Sequence, residues 1–201
     1  MSNLVKTRKV ISQYVTEPPV KLLARTPVTP NTITWLGFLI TAGAAALIAT
    51  EHLFAAGFIV LVAGVFDMLD GALARLTNRV TRFGGILDST LDRVSEAILL
   101  LALLAVFARE QKVAESLLTG IVLFSSLMVS YLRSRIEAMG IDCKIGLFTR
   151  PERVIILALG LLLSQFEYAL VIALAIIAVF SLFTAGQRLY HAWRCTKEQA
   201  L

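Results

Sequence analysis

DMLDGALARLTNRVTRFGGILDSTLD, residues 67–92, places four aspartates inside an otherwise apolar chain. Asp67 and Asp70 are three residues apart, and Asp88 and Asp92 are four residues apart. Each spacing puts two carboxylates on one face of a helix. The short connection between the two pairs predicts antiparallel neighbouring helices, so we expect the two acidic faces to converge.

The composition around this stretch is that of a membrane protein. Of the 201 residues, 57% are hydrophobic and only 16% are charged, whereas about a quarter of the residues of a soluble domain are charged. The length predicts a single domain over residues 1–201. We expect an interfacial N-terminal segment at 1–30, a six-helix core at 31–191 and a cytoplasmic tail at 192–201.

The predicted fold class is an all-α integral membrane protein with six transmembrane helices. A spanning helix needs about 20 mostly apolar residues, and the fifth candidate segment is short unless its helix begins near Arg150. A very short turn at Glu51 and His52 separates the first two segments. The six segments are residues 33–50, 53–76, 84–107, 116–136, 152–164 and 166–191.

The segment before the first span mixes apolar and basic residues and has no apolar run like that of a cleavable signal. LVKTRKVISQYVTEPPVKLLART, residues 4–26, predicts an amphipathic juxtamembrane helix that lies in the membrane interface and breaks near Pro18 and Pro19. A loosely ordered basic tail is the alternative.

The basic residues that give the net charge of +5 fall in clusters along the chain. Every second predicted connection is basic, and the intervening connections hold little beyond Arg109 and Lys112. This positive-inside pattern predicts a multi-pass protein of the cell membrane with both termini and the aspartates on the cytoplasmic side. Basic and aromatic residues do not alternate as on a nucleic-acid surface, so we expect no nucleic-acid partner. The basic clusters are Lys6, Arg8, Lys9, Lys21 and Arg25; Arg75, Arg79 and Arg82; Arg133, Arg135, Lys144, Arg150 and Arg153; and Arg188, Arg194 and Lys197.

The two cysteines, Cys143 and Cys195, both fall on the predicted cytoplasmic side. We therefore expect no disulfide, and two isolated thiols make no metal-binding motif.

Four converging carboxylates at the edge of the hydrocarbon need a counter-charge, since even one ionised acid there costs a few kcal/mol. Divalent cations held by oxygen ligands are the simplest counter-charge. Two ions such as Mg²⁺ balance four negative charges. The alternative is ion pairing with Arg75, Arg79, Arg82 and Arg93. Ion pairing does not explain the small residues beside the acids, which leave room for a ligand.

The fixed residues of the stretch form the pattern D-x-x-D-G-x-x-A-R, eight residues, then G-x-x-x-D-x-x-x-D. At every fixed position this pattern resembles the signature of the CDP-alcohol phosphotransferases, and the six-helix plan extends the resemblance over most of the chain. The pattern residues here are Asp67, Asp70, Gly71, Ala74, Arg75, Gly84, Asp88 and Asp92.

The resemblance implies an enzyme that moves a phosphatidyl-type group from a CDP-linked lipid to an alcohol and releases CMP. It implies that Asp67, Asp70 and Asp88 hold two Mg²⁺ ions, for which Mn²⁺ can substitute. Asp92 would be the general base that takes the proton of the attacking hydroxyl, while also contacting a metal. Paired metals suit a diphosphate, because they neutralise the charge on the leaving phosphate.

The resemblance also implies a nucleotide site. The family often has a Pro-Asn pair before the first helix, and TPNTIT at residues 29–34 supplies one. The same residues are a helix start at which Asn31 or Thr32 can act as the N-cap. The implied nucleotide-binding residues are Asn31, Gly71, Ala74, Arg75 and Gly84.

Arginines near the ends of the last three predicted helices indicate which kind of alcohol accepts the transferred group. Arginine forks suit phosphate, so a phosphorylated polyol is expected rather than a neutral alcohol. Binding of anionic lipid headgroups is the alternative. The candidate acceptor-phosphate residues are Arg133 in SYLRSRIEAMG, Arg150 and Arg153 in GLFTRPERV, and Arg188 after Gln187.

These segments resemble the branch of the family that makes phosphatidylinositol phosphate, or its archaeal ether-lipid counterpart, from inositol 1-phosphate. Phosphatidylglycerophosphate synthase, which uses glycerol 3-phosphate, is the nearest rival. The sequence leaves open whether the donor is CDP-diacylglycerol or CDP-archaeol. The resemblance also implies a homodimer surrounded by membrane lipid.

Two other functions remain as alternatives. A cation transporter would need acids or polar breaks deeper in the membrane, and the predicted helices other than the second and third contain none. A catalytically silent scaffold would not need the complete signature.

Overall fold

The computed structural model describes residues 19–199. In this part of the chain the regular structure is entirely helical. A short helical segment at 19–23 precedes six longer helices. These are α1 (Pro30–Ala49), α2 (Leu53–Leu76), α3 (Arg82–Arg109), α4 (Val113–Ala138), α5 (Arg150–Leu162) and α6 (Ala169–Gln199).

The six predicted helices are confirmed, with ends shifted by a few residues except at the end of α6, which continues well beyond residue 191. Four of them, α1, α2, α4 and α6, are long and apolar enough to cross a membrane. Helix α3 carries acidic and basic residues in its first half, and α5 has only 13 residues although it does begin at Arg150. The several apolar helices are those of a multi-pass membrane protein. That all six helices span the membrane stays a prediction.

The structure describes only part of each predicted terminal segment. The predicted interfacial helix lies outside the described residues over 1–18, and its final part forms the helical segment at 19–23. The predicted tail at 192–201 is helical as far as Gln199, because α6 continues without a break beyond residue 191.

Threonines cap the helices that border the acidic stretch. The predicted N-cap of α1, Asn31 or Thr32, is wrong: Thr29 is the cap, and its Oγ1 accepts from the Thr32 N–H at 3.3 Å. Pro30 at the first helical position explains the shift, because its fixed φ and missing N–H suit that position. Thr81 caps α3 in the same way, accepting from the Gly84 N–H at 2.9 Å.

The second and third helices, predicted to be antiparallel neighbours, do not pack closely along their lengths in the described residues, because both pack on α1 instead. Helix α1 contacts α2 and α3, α2 contacts α5, α3 contacts α4, and α6 contacts α4 and α5. Gly57 on α2 allows a close approach to α5, since an added Cβ there would lie 2.9 Å from the Ala158 carbonyl oxygen. Small residues at such crossings let membrane helices pack closely.

Both cysteines are free thiols, as predicted. Cys143 is buried in the connection between α4 and α5 with Ile136 and Ile141, and Cys195 packs against the same cluster. Burial raises the pKa of the Cys143 thiol above its usual value, because the thiolate would lose its water.

Candidate active site

The carboxylates of the acidic stretch meet where α2 ends and α3 begins. One oxygen from each of Asp67, Asp88 and Asp92 lies within 4.8 Å of the other two, and all three side chains are half-buried. The predicted convergence of the two helix faces is therefore present for three of the four aspartates.

Asp70 stands apart from these three and is held by hydrogen bonds. It is buried, its Oδ2 accepts from Thr34 Oγ1 at 2.7 Å, and its Oδ1 accepts from the Gly71 N–H. The two bonds fix the orientation of the carboxylate between α1 and α2. Sequence analysis missed Thr34, whose only signal is its position one helical turn after Pro30.

Arg150 supplies the nearest positive charge to the converging acids. Its Nη1 lies 2.6 Å from Asp67 Oδ2 and 2.6 Å from Asp92 Oδ1. Asp67 and Asp92 are thus paired by an arginine at the start of α5, not by one of the arginines near them in sequence. The ion-pair alternative names the wrong arginines because it considers only neighbours along the chain.

The carboxylates suit a divalent metal. Mg²⁺ and related ions prefer carboxylate oxygens, and three such groups converge here with one bonded arginine to offset their charge. Asp67, Asp88 and Asp92 would hold the ion, and Asp70 borders the same region.

A cavity of about 310 Å³ lies beside these acids, between the start of α1, the end of α2 and the start of α3. Asp70 and Asp88 form its acidic wall. Gly84 permits a close approach in this wall, because an added Cβ would lie 2.8 Å from Thr81 Oγ1 and 3.2 Å from Asn31 Oδ1. The cavity brings together all five predicted nucleotide residues, Asn31, Gly71, Ala74, Arg75 and Gly84.

A second cavity, of about 460 Å³, lies on the other side of Asp88 and borders α3, α4, α5 and α6. Asp88 and Asp92 lie in its wall together with the predicted acceptor residues, so the four predicted arginines, from three helices, meet at one place beside Arg93 of α3. These arginines are Arg133, Arg150, Arg153 and Arg188.

The arginines of this second cavity differ in how they are held. Arg188 is buried and donates to the carbonyl oxygens of Val129 and Ile145, at 2.5 Å and 3.1 Å. Arg133 is exposed and forms an ion pair with Glu137 at 2.9 Å. Arg153 is buried and forms a two-bond pair with Glu96 on α3, which sequence analysis missed. Glu96 continues the four-residue spacing from Asp88 through Asp92, which is the signal that could have found it.

A third cavity, of about 250 Å³, extends from Asp67, Asp70 and Asp92 into the apolar interior between α1, α2, α3 and α5. Its walls are mainly apolar, with Phe38 and Leu61 among them. The three cavities therefore border one group of carboxylates, one on each side and one toward the apolar interior.

Comparisons with known proteins agree with this arrangement. The family model described as CDP-alcohol phosphatidyltransferase matches residues 27–185. The archaetidylinositol phosphate synthase of Methanothermobacter thermautotrophicus is 36% identical over 199 residues, covering 98% of this chain and 97% of the relative. The phosphatidylinositol phosphate synthase of Mycobacterium tuberculosis is 36% identical over 202 residues, covering 96% of this chain and 92% of the relative.

Solved structures give the same result. The crystal structure of the Mycobacterium tuberculosis phosphatidylinositol phosphate synthase with CDP-DAG bound is similar with a TM-score of 0.81 and 37% identity, covering 89% of this chain and 93% of that one. A structure of that synthase in complex with manganese and citrate also has a TM-score of 0.81 and 37% identity, covering 89% of this chain and 88% of that one. The chain belongs to the CDP-alcohol phosphatidyltransferase family and is an enzyme of phospholipid biosynthesis rather than a cation transporter.

Proposed function

We propose that this enzyme transfers a phosphatidyl-type group from a CDP-linked lipid to a phosphorylated polyol, with inositol 1-phosphate as the acceptor and CMP as the leaving product. One observation carries the proposal: the acidic wall of the predicted nucleotide cavity and the arginine cavity share Asp88. The two substrates can therefore meet at one group of carboxylates.

The reaction follows from this placement. The acceptor hydroxyl, held in the arginine cavity, attacks the lipid-side phosphorus of the diphosphate. A new oxygen–phosphorus bond forms, the bond from that phosphorus to the bridging oxygen breaks, and CMP leaves with the bridging oxygen. Asp92 takes the proton of the hydroxyl, because it lies in the wall of the arginine cavity. Such general-base catalysis contributes roughly 10²- to 10⁴-fold to the rate.

The proposed metal ligands are Asp67, Asp70, Asp88 and Asp92, with two Mg²⁺ ions and Mn²⁺ as a substitute. When bound, the ions supply positive charge that stabilises the diphosphate as its bond breaks. Asp70 would bind a metal ion from the wall of the nucleotide cavity, where Thr34 orients its carboxylate. The relative solved with manganese supports a divalent metal for this site.

The remaining residues bind the two substrates. Asn31, Gly71, Ala74, Arg75 and Gly84 take the cytidine nucleotide, and Arg133, Arg150, Arg153 and Arg188 take the acceptor phosphate. The apolar third cavity suits the first part of a lipid chain, because it opens beside the same aspartates and is lined mainly by hydrocarbon. A generic apolar wall accepts either CDP-diacylglycerol or CDP-archaeol.

The proposal includes the membrane arrangement. The whole chain forms one domain whose six helices all span the membrane, and both termini and the active site face the cytoplasm. The basic residues at the site's end of the helices support this orientation. The protein forms a homodimer in membrane lipid.

Product formation by the purified full chain tests the proposal. CMP release should require Mg²⁺ or Mn²⁺ together with CDP-diacylglycerol or CDP-archaeol. Inositol 1-phosphate, glycerol 3-phosphate, serine and free inositol are then offered separately, and only the phosphorylated polyols should yield lipid product, inositol 1-phosphate most rapidly. A preference for glycerol 3-phosphate would transfer the assignment to a phosphatidylglycerophosphate synthase. A preference for serine or free inositol would overturn the phosphate-binding role of the arginines.

A further inference from the structure

Glu96 and Arg153 form a buried ion pair beside the carboxylate cluster. Arg153 Nε donates to Glu96 Oε1 at 2.6 Å, and Arg153 Nη2 donates to Glu96 Oε2 at 2.7 Å. Arg153 is 2% exposed and Glu96 is 8% exposed. Two parallel bonds of this kind fix the plane of the guanidinium, so its remaining nitrogen has one direction available.

That remaining nitrogen has no partner. Nη1 of Arg153 is buried and makes no hydrogen bond, although Arg153 and Glu96 both line the 460 Å³ cavity. A buried charged donor without an acceptor is costly, and native structures normally satisfy such groups. An anionic oxygen in the cavity would satisfy it.

We propose that Glu96 is a positioning residue for the acceptor phosphate, acting through Arg153. Glu96 holds the Nε and Nη2 atoms of Arg153, which leaves Nη1 to donate to a phosphate oxygen. The inference rests on the proposed function, since it takes the arginine cavity as the acceptor site. It adds a residue that acts on the phosphate through Arg153 and is neither a proposed metal ligand nor a proposed phosphate ligand.

Glu96 also prevents a competing ion pair. Asp92 precedes Glu96 by one helical turn, and Asp88 and Asp92 line the same cavity as Arg153. A buried arginine that lost its carboxylate partner would be drawn to the nearest acid. Glu96 therefore keeps Arg153 away from the carboxylates that the reaction uses.

A purely structural role makes a different prediction. A buried pair that only ties α3 to α5 would affect stability when broken, but its effect on phosphate binding would not depend on Arg153. A double-mutant cycle separates the two roles, because residues that act through each other are non-additive.

The test uses the full chain in detergent micelles, with inorganic phosphate as the probe and calorimetry or phosphate-dependent melting as the readout. The variants are Glu96→Gln, Arg153→Gln and the double variant. Glu110→Gln is the matched control, because Glu110 pairs with Lys112 at the opposite end of α3, at 2.7 Å. We expect Glu96→Gln to weaken phosphate binding roughly 10-fold or more, as for loss of a hydrogen bond to a charged group. The double variant should be no weaker than Arg153→Gln alone, and the control should match the wild type.

Turnover supplies a second readout. Glu96→Gln should raise the KM for the phosphorylated acceptor by a larger factor than the KM for the CDP-linked donor, because Glu96 also borders the apolar cavity. Glu96→Asp keeps the charge on a shorter side chain that cannot reach both nitrogens. It should bind phosphate less tightly than the wild type and, where Glu96→Gln folds, more tightly than that variant.

Several outcomes would overturn the inference. Wild-type phosphate affinity in both Glu96 variants would do so. Tighter phosphate binding by Glu96→Gln would also do so, because Glu96 would then act only as a negative charge that weakens phosphate binding. Additive losses in the double variant would assign Glu96 a structural role. If the wild type bound no phosphate, both the phosphate-binding role of the cavity and the inference would be wrong. Failure of inositol 1-phosphate in the product assay, with the phosphate effects retained, would instead remove only the proposed acceptor.

Discussion

Arg150 Nη1 lies 2.6 Å from Asp92 Oδ1, so a proposed phosphate-binding residue contacts the proposed general base. The same nitrogen lies 2.6 Å from Asp67 Oδ2. One guanidinium therefore links the carboxylates proposed for metal binding with the cavity proposed for the acceptor. A cation bound by these carboxylates would compete with Arg150 for the same oxygens, which would couple metal binding to the position of this arginine.

Replacing Arg150 by glutamine should tighten Mn²⁺ binding. The change removes a unit positive charge from hydrogen-bonding distance of Asp67 and Asp92, and a charge at such a distance repels a cation strongly enough to change affinity by at least about 10-fold. Titration of free Mn²⁺ by electron paramagnetic resonance measures the effect. Turnover should fall at the same time, because the acceptor phosphate loses an arginine.

Arg109→Gln is the control for this experiment. Arg109 ends α3 at the far end from the aspartates, where it donates to the Ala49 carbonyl oxygen at 3.3 Å. It should leave Mn²⁺ affinity unchanged. Equal or weaker Mn²⁺ binding by Arg150→Gln would contradict competition between the arginine and the metal.

Asp92→Asn should abolish turnover while largely sparing nucleotide binding. The amide cannot take the hydroxyl proton, so we expect CMP release to fall by roughly 10²- to 10⁴-fold. Asp92 lines the acceptor cavity and not the nucleotide cavity, so CDP affinity measured by calorimetry should change little. Turnover near the wild-type rate would remove Asp92 from the role of general base.

The fold and the acidic centre were predictable because both leave local patterns. The apolar runs give the six helices, and the three- and four-residue spacings give the convergence of Asp67, Asp88 and Asp92. The predicted short turn at Glu51 and His52 joins α1 to α2, and these two helices pack against each other. Each of these features depends on residues close together in sequence.

Contacts between distant segments were not predictable from these patterns. The partner of Asp70 is Thr34, 36 residues away, and the partner of Glu96 is Arg153, 57 residues away. Arg150 reaches Asp67 across 83 residues. Such pairs follow from the packing of α1 and α5 on α2 and from side-chain bonds between α5 and α3, which spacing within one helix does not fix. The four predicted arginines do line one cavity, but the acids that hold Arg150 and Arg153 were not predicted.

Thr34→Val should weaken metal binding through Asp70. Valine keeps the shape of threonine but loses the hydroxyl that donates to Asp70 Oδ2 at 2.7 Å. Loss of a partner that orients a metal ligand typically costs about 10-fold or more in affinity. Mn²⁺ titration measures the change, and Thr34→Ser should retain most of the affinity because serine keeps the donor.

Thr41→Val is the matched control for Thr34. Thr41 is a buried threonine of the same helix, but its hydroxyl donates to its own helix at the Gly37 carbonyl oxygen, at 2.9 Å. Mn²⁺ affinity should be unaffected. If Thr34→Val bound Mn²⁺ like the wild type, Asp70 would need no orientation by α1 or would not be a metal ligand.

Gly57→Ala should destabilise the protein and impair the acceptor site together. An added Cβ would lie 2.9 Å from the Ala158 carbonyl oxygen and from Leu162 on α5, so the two helices must move apart. Overpacking of this kind costs about 1–3 kcal/mol. The midpoint of thermal unfolding in detergent should fall, and acceptor KM should rise, because α5 carries Arg150 and Arg153 at its first turn.

Gly43→Ala on α1 is the control, because the added Cβ meets nothing within 4 Å. It should leave both quantities near wild type. An unchanged melting midpoint in Gly57→Ala would show that α2 and α5 can separate there without cost, and that the arginines of α5 do not depend on this close contact.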